Sequence, residues 1–136
     1  MTKQEFYDKI CAHLVKQGCR SMGEGPLSTA CLYRGANGRK CAIGAVIPDD
    51  IYTEEMDAAA DTGIRYVIEE FPQLKPFIPD VRLASFLQGA HDDFVNWCDN
   101  GLSDAGKYQL QRIAVSCDLK PYNFENCGRA QAGEGD

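Results

Sequence analysis

Ala30-Cys31-Leu32-Tyr33-Arg34-Gly35-Ala36-Asn37-Gly38-Arg39-Lys40-Cys41-Ala42-Ile43-Gly44 is the stretch on which the fold reading turns. Asn37-Gly38 stands between two short runs with β-type residues, and both residues accept the positive φ of a type I′ turn. The stretch is therefore predicted to form a two-stranded antiparallel hairpin. With Asn37-Gly38 as a two-residue turn, Arg34 lies opposite Cys41 and Leu32 opposite Ile43; a four-residue turn over 35–38 shifts the partners by one position on each side. Side chains alternate with period two, so either register puts Leu32, Arg34, Arg39, Cys41 and Ile43 on one face. Cys31, Tyr33, Lys40 and Ala42 then share the other. Two strands alone are marginal in water, so the hairpin must pack on helices.

The flanking sequence supplies them. Thr2-Lys3-Gln4-Glu5 is a capping-box pattern, and Phe6, Ile10 and Leu14 follow at helical spacing, which predicts a first helix to about Gln17 stopped by Gly18. Ser21 to Pro26 has no periodicity and several breakers, and reads as a loop. After the hairpin, 46–57 is an acidic loop with at most one helical turn. Ile64, Val67, Ile68 and Phe71 mark one face of a helix that Pro72 ends. A further helix starts near Asp80 and is expected to bury Leu83, Phe86, Leu87, Ala90 and Phe94, with His91 at the edge of that stripe and Asp92 pointing away. The last helix runs from Ser103 as N-cap to about Cys117, with Leu110, Ile113, Ala114 and Cys117 inward. The expected fold is α+β: an N-terminal helix, a hairpin, then three helices packed on it. It forms one domain over 1–121, followed by a Gly-rich tail over 122–136 that is partly disordered.

Composition narrows the classes of function. The chain has 136 residues, with 44% hydrophobic and 25% charged side chains, the make-up of an ordinary globular domain. Acidic residues outnumber basic ones 20 to 14, leaving a net charge of −6, so direct nucleic-acid binding is not expected. No apolar run approaches a membrane span and no signal peptide is visible, so the expected location is cytoplasmic, away from membranes. Seven cysteines is an odd number, and without a secretory context they read as thiols rather than a disulfide framework.

The residue types offer four candidate chemistries. Cys41 faces Arg34 in one register and is flanked by Arg39 and Lys40, a setting that favours thiolate; with His91 as base it would make a thiol-dependent hydrolase or transferase. Against this stands the commoner role of such a cysteine as a small buried hydrophobe. Cys31, Cys41, His91, Asp92 and Cys98 are metal-ligand types, but no close Cys or His pair exists and His91-Asp92 lacks further ligands, so neither metal nor cofactor is expected. Arg20, Arg34, Arg39 and Lys40 would, with Tyr33, suit a phosphate or carboxylate. Asp49, Asp50, Glu54, Glu55, Asp57 and Asp61 lack the order of a calcium loop and would suit a basic partner. Trp97 reads as core or lid.

Taken together, Cys31, Tyr33, Arg34, Gly35, Gly38, Lys40, Cys41, Ala42 and Gly44, then Ile47, Pro48, Asp49, Tyr52 and Met56, then Leu87, Gln88, His91, Asp92 and Trp97 resemble the pattern of a family of small bacteriophage and prophage proteins. The likeness covers about Thr2 to Leu119. The Gly-rich loop over 23–26, Ala45 and the tail after Pro121 depart from it. The resemblance implies a context rather than an activity: a phage-encoded accessory protein in the cytoplasm of the infected cell. By analogy with such proteins, the expectation is a non-enzymatic inhibitor of a host defence system, anti-CRISPR-like or otherwise anti-defence, that binds a host protein or defence complex. Its expected surface is Tyr33, Arg34, Arg39, Lys40, Glu54, Glu55, His91 and Asp92. The alternatives are sequestration of a small phosphorylated or nucleotide signal, a Cys41/His91 enzyme, and a virion component.

Overall fold

A computed structural model describes residues 1–22, 32–59 and 62–124. Helix α1 (Lys3–Gln17) starts where the capping box places it: Thr2 Oγ1 accepts from the Glu5 N–H at 3.1 Å and Glu5 returns a bond to the Thr2 N–H at 3.0 Å. Gly18 ends it in the left-handed region, its N–H bonded to Leu14 O. Phe6, Tyr7, Ile10, Cys11 and Leu14 are buried. The acidic segment holds one short helix, α2 (Glu54–Ala58). Then come α3 (Ile64–Glu70), a 3₁₀ segment at Pro72–Phe77, and α4 (Val81–Asp92), N-capped by Asp80. The closing helix α5 (Asp104–Ser116) is N-capped by Ser103.

The fold is mixed α+β, with an N-terminal helix and a two-stranded antiparallel hairpin packed among helices, but the hairpin lies elsewhere. Its strands are β1 (Trp97–Cys98) and β2 (Gly101–Leu102), paired Trp97 to Leu102 and Cys98 to Gly101. In the 32–46 region the turn itself forms as read: Asn37 and Gly38 have φ of 61° and 73°, and the Arg39 N–H reaches Ala36 O at 3.3 Å. The arms do not continue as a ladder. Beyond one bond from the Gly35 N–H to Arg39 O, the first arm pairs with the segment that leaves α1, with the Leu32 N–H on Ser21 O and the Ala36 N–H on Met22 O, each at 2.8 Å. Residues 41–47 wind into helical turns, with bonds from Ala45 N to Cys41 O and from Val46 N to Ile43 O. The two-face alternation therefore fails: Cys41, Ala42, Ile43 and Gly44 are buried consecutively.

Three further expectations are corrected. Phe94 is 70% exposed and Phe86 39% exposed. Asp93 leaves helical geometry, so Phe94 falls off the stripe, and Phe86 lies under the Arg82 guanidinium at 5.3 Å. His91 is fully buried rather than at an edge. The packed domain also passes 121: Phe124 is buried, Tyr122 packs on the core, and the Tyr122 N–H donates to Tyr7 Oη at 3.1 Å. The predicted loop over 23–26 and the tail from 125 lie outside the described residues. Among the described residues, no helix is long and apolar enough to cross a membrane.

Candidate functional site

Because 32–47 lacks a strand ladder, its backbone groups must be satisfied one at a time, and side chains supply the partners that turns and the neighbouring segment do not. Asp57, on α2, accepts the Tyr33 N–H at 2.6 Å and the Arg34 N–H at 3.3 Å, and also holds the Tyr52 hydroxyl. Arg34 turns inward. Its guanidinium donates to Gly44 O and Ile47 O, both at 2.7 Å, and to Asp49 at 3.0 Å, and it lies 4.7 Å from the centroid of the Tyr52 ring. Gln88 on α4 accepts the Ile43 N–H at 3.1 Å. Gly44 completes the knot by absence of a side chain, since a Cβ there would run into Tyr33 O. Arg34 and Asp57 are thus clamps that hold a non-repetitive segment, and the Arg34 side chain is only 18% accessible.

A second network surrounds His91. Its Nε2 accepts the Ser21 N–H at 2.9 Å, which leaves Nδ1–H to donate to Asp92 Oδ1 at 2.8 Å. The bond from the backbone N–H defines the neutral tautomer protonated on Nδ1. Gln88 also donates to Asp92 Oδ1 at 2.8 Å, Arg20 reaches Asp92 O at 3.2 Å, and Trp97 Nε1–H donates to His91 O at 2.8 Å with its ring edge-on to the imidazole. This network joins the end of α4 to the segment that leaves α1.

The Cys41/His91 enzyme reading does not survive this geometry. Cys41 is fully buried, its sulfur accepts the Gly44 N–H at 3.2 Å, and burial pushes the thiol well above its ordinary value, so it stays protonated. Both ring nitrogens of His91 are committed to Ser21 and Asp92, which leaves none to take a thiol proton. Cys11 is likewise a core thiol, pushed up to about 12 by burial. Among the described residues, Cys11, Cys19, Cys41, Cys98 and Cys117 are free, and no three His, Cys, Asp or Glu side chains converge as a metal site.

The expected binding surface also divides. Tyr33 and His91 do not reach it, being buried, and Arg34 is spent on the clamp. Arg39, Glu54, Glu55 and Asp92 are exposed and Lys40 is partly so. Arg39 and Lys40 do face a common groove, but with residues of α1 rather than with Tyr33 and Arg34. The acidic segment splits in the same way: Asp57 is structural, while Asp49, Asp50, Glu54 and Glu55 project outward.

One surface feature lies where the sequence pattern puts Phe94 in the core. After α4 the chain makes a 3₁₀ turn, Phe94–Asn96, that shows Phe94 and Val95 to solvent at 70% and 51% exposure. The turn is tightly held. Asp93 accepts the Val95 N–H at 3.2 Å, Ser103 Oγ donates to Val95 O at 2.8 Å, and buried Asn96 donates to Ala90 O and Gln109 Oε1 at 2.9 and 2.7 Å. Gly106 of α5 lets the turn sit down, since a Cβ there would strike Asn96 O. The signal available in sequence was Asp93, a capping residue that breaks the helical stripe before Phe94.

Comparison of the chain with protein-family models, with curated proteins and with solved structures gives no match.

Proposed function

We propose that this chain is a phage-encoded accessory protein that acts by binding a host protein, and that the binding inhibits a defence system. The phage context is supported by the motif resemblance, and the mode of action by one observation above all. Phe94 and Val95 are displayed on a turn that hydrogen bonds pin on both sides, with exposed Asp92 and Asp93 before them and exposed Asp104 just beyond Ser103. An apolar knob that is already rigid loses little entropy when it docks, and its acidic flank favours a socket rimmed by Lys and Arg. Glu54 and Glu55 add negative charge that would steer such a partner.

The test is affinity capture from host lysate with the wild-type chain, Phe94→Ser, and the double variant Glu54→Lys, Glu55→Lys. A discrete host protein is expected with wild type and lost with Phe94→Ser, while both variants keep wild-type stability to within about 0.5 kcal/mol, as befits exposed positions. The captured protein, once purified, should lose its defence activity when the wild-type chain is added in equal amount. Equal capture by wild type and Phe94→Ser refutes the surface; undiminished defence activity refutes inhibition.

A further inference from the structure

Between the C-terminal half of α1 and the turn at Asn37 lies an open groove of about 490 Å³. Lys16, Arg39 and Lys40 line it, together with His13 and Gln17, and among the described residues no Asp or Glu does. The walls are pinned to each other at the floor. Gln17 Oε1 accepts the Lys40 N–H at 2.7 Å, Gln17 Nε2 donates to Lys40 O at 2.8 Å, and His13 Nε2–H donates to the same carbonyl at 2.8 Å. The concavity therefore exists before any ligand arrives, and the cations above it need not be gathered.

The charges suit one class of ligand. Lys16 and Arg39 are exposed, and Lys40 is engaged by Asp49 only across 3.6 Å from a carboxylate that is itself 83% exposed, a pair that opens at little cost. An arginine fork and two ammonium groups around a concave site favour phosphate oxygens over single carboxylates. Among the described residues no Phe, Tyr or Trp lines the groove, so none of them stacks a base there. We infer that this groove binds a small phosphorylated anion with two or more phosphates, held by Lys16, Arg39 and Lys40 through the phosphates rather than through a base. This deepens the small-ligand alternative and uses none of the residues of the Phe94 surface, so its failure would leave the protein-binding reading standing.

Pyrophosphate and ADP are the probes, titrated into the ¹⁵N-labelled full chain at low ionic strength and followed by amide shifts. Saturable shifts are expected at residues 13–19 and 37–40, with the two probes binding within about threefold of each other because the base contributes nothing. The double variant Lys16→Glu, Arg39→Glu should weaken binding about tenfold or more, whereas Arg65→Glu, Lys75→Glu, an equal change of charge at exposed positions outside the groove, should weaken it much less. Absence of saturation by about 10 mM pyrophosphate, a dissociation constant too weak to matter, overturns the inference. So does equal weakening by the two double variants, or a single-stranded oligonucleotide that binds the groove more than about tenfold tighter than pyrophosphate, which would make it a nucleic-acid surface.

Discussion

Arg34→Met is the substitution that best separates a structural arginine from a binding one. The sequence presents Arg34 as a displayed cation whose loss would spare stability. In the structure its guanidinium makes two 2.7 Å bonds to the Gly44 and Ile47 carbonyls and a 3.0 Å contact with Asp49. Hydrogen bonds with a charged partner contribute roughly 1.5–3 kcal/mol each, so the two carbonyl bonds set an upper figure of about 6 kcal/mol. The Asp49 pair adds about 0–1 kcal/mol, since Asp49 is exposed. Methionine keeps an apolar stem against Tyr52, and water reaches a site whose arginine is 18% accessible, so both corrections lower the loss. The expected destabilisation is about 2–4 kcal/mol. Urea unfolding at neutral pH reads it directly: with a slope of about 1–3 kcal/mol/M, a 3 kcal/mol loss moves the midpoint down by about 1–3 M. Asp57→Asn should act in the same direction, because an amide cannot accept the Tyr33 and Arg34 N–H groups with both of its polar atoms. An Arg34→Met midpoint unchanged from wild type, with unchanged slope, would refute the clamp and return Arg34 to the surface.

Gly44→Ala should cost more than about 3 kcal/mol, because its Cβ meets a backbone carbonyl that cannot move aside; circular dichroism melting reads the loss. In iodoacetamide labelling with peptide mapping, exposed Cys98 should react in the native protein, and buried Cys11 and Cys41 only once urea unfolds it. Stability should fall on acidification in two stages. Burial holds His13 below its ordinary value of 6.5, so below that pH the unfolded chain takes a proton that the folded chain resists. The hydrogen bonds at the α1 and α4 caps hold Glu5 and Asp80 below 4.5 and 3.8, so a second decline begins there, and His13→Gln should remove the first stage only.

Helix boundaries were readable because their signals are local. Thr2 with Glu5, Gly18, Pro72, Asp80 and Ser103 each act within one turn of chain, and each does in the structure what its residue type dictates. The Asn37-Gly38 turn was readable for the same reason. What the turn could not specify was the partner of its arms. That choice is made by Gln17, Asp57 and Gln88, which bond to the segment's backbone from 23, 23 or 24, and 45 residues away. A single side chain on a single backbone group leaves no periodicity to detect. The true hairpin escaped for a different reason: strands of two residues are too short to alternate, and only Asp99-Asn100-Gly101, with Gly101 at φ 119°, marks the turn.

The same physics explains why several of the candidate site residues lie buried. Tyr33, Arg34, Cys41 and His91 are residue types that carry chemistry, but a residue type does not by itself report access. In a segment without regular ladders the two diverge. The backbone there needs donors and acceptors from elsewhere, and the side chains best able to supply them are the guanidinium, carboxylate and imidazole groups that also make active sites. Arg34 and Asp57 serve one stretch of irregular chain, His91 serves another, and among the described residues no buried side-chain nitrogen or oxygen is left unsatisfied. Part of the motif read from the sequence is therefore fold-forming: Tyr33, Arg34, Gly44, Gln88, His91, Asp92 and Trp97 belong to the two hydrogen-bonded networks. Of the two proposed surfaces, Phe94 in the knob and Lys16 with Arg39 in the groove lie outside that motif, whereas Asp92 on the knob's flank and Lys40 in the groove lie inside it. Chains sharing the motif should then share this scaffold, and any difference in what they bind would have to come from positions outside it such as Phe94, Lys16 and Arg39.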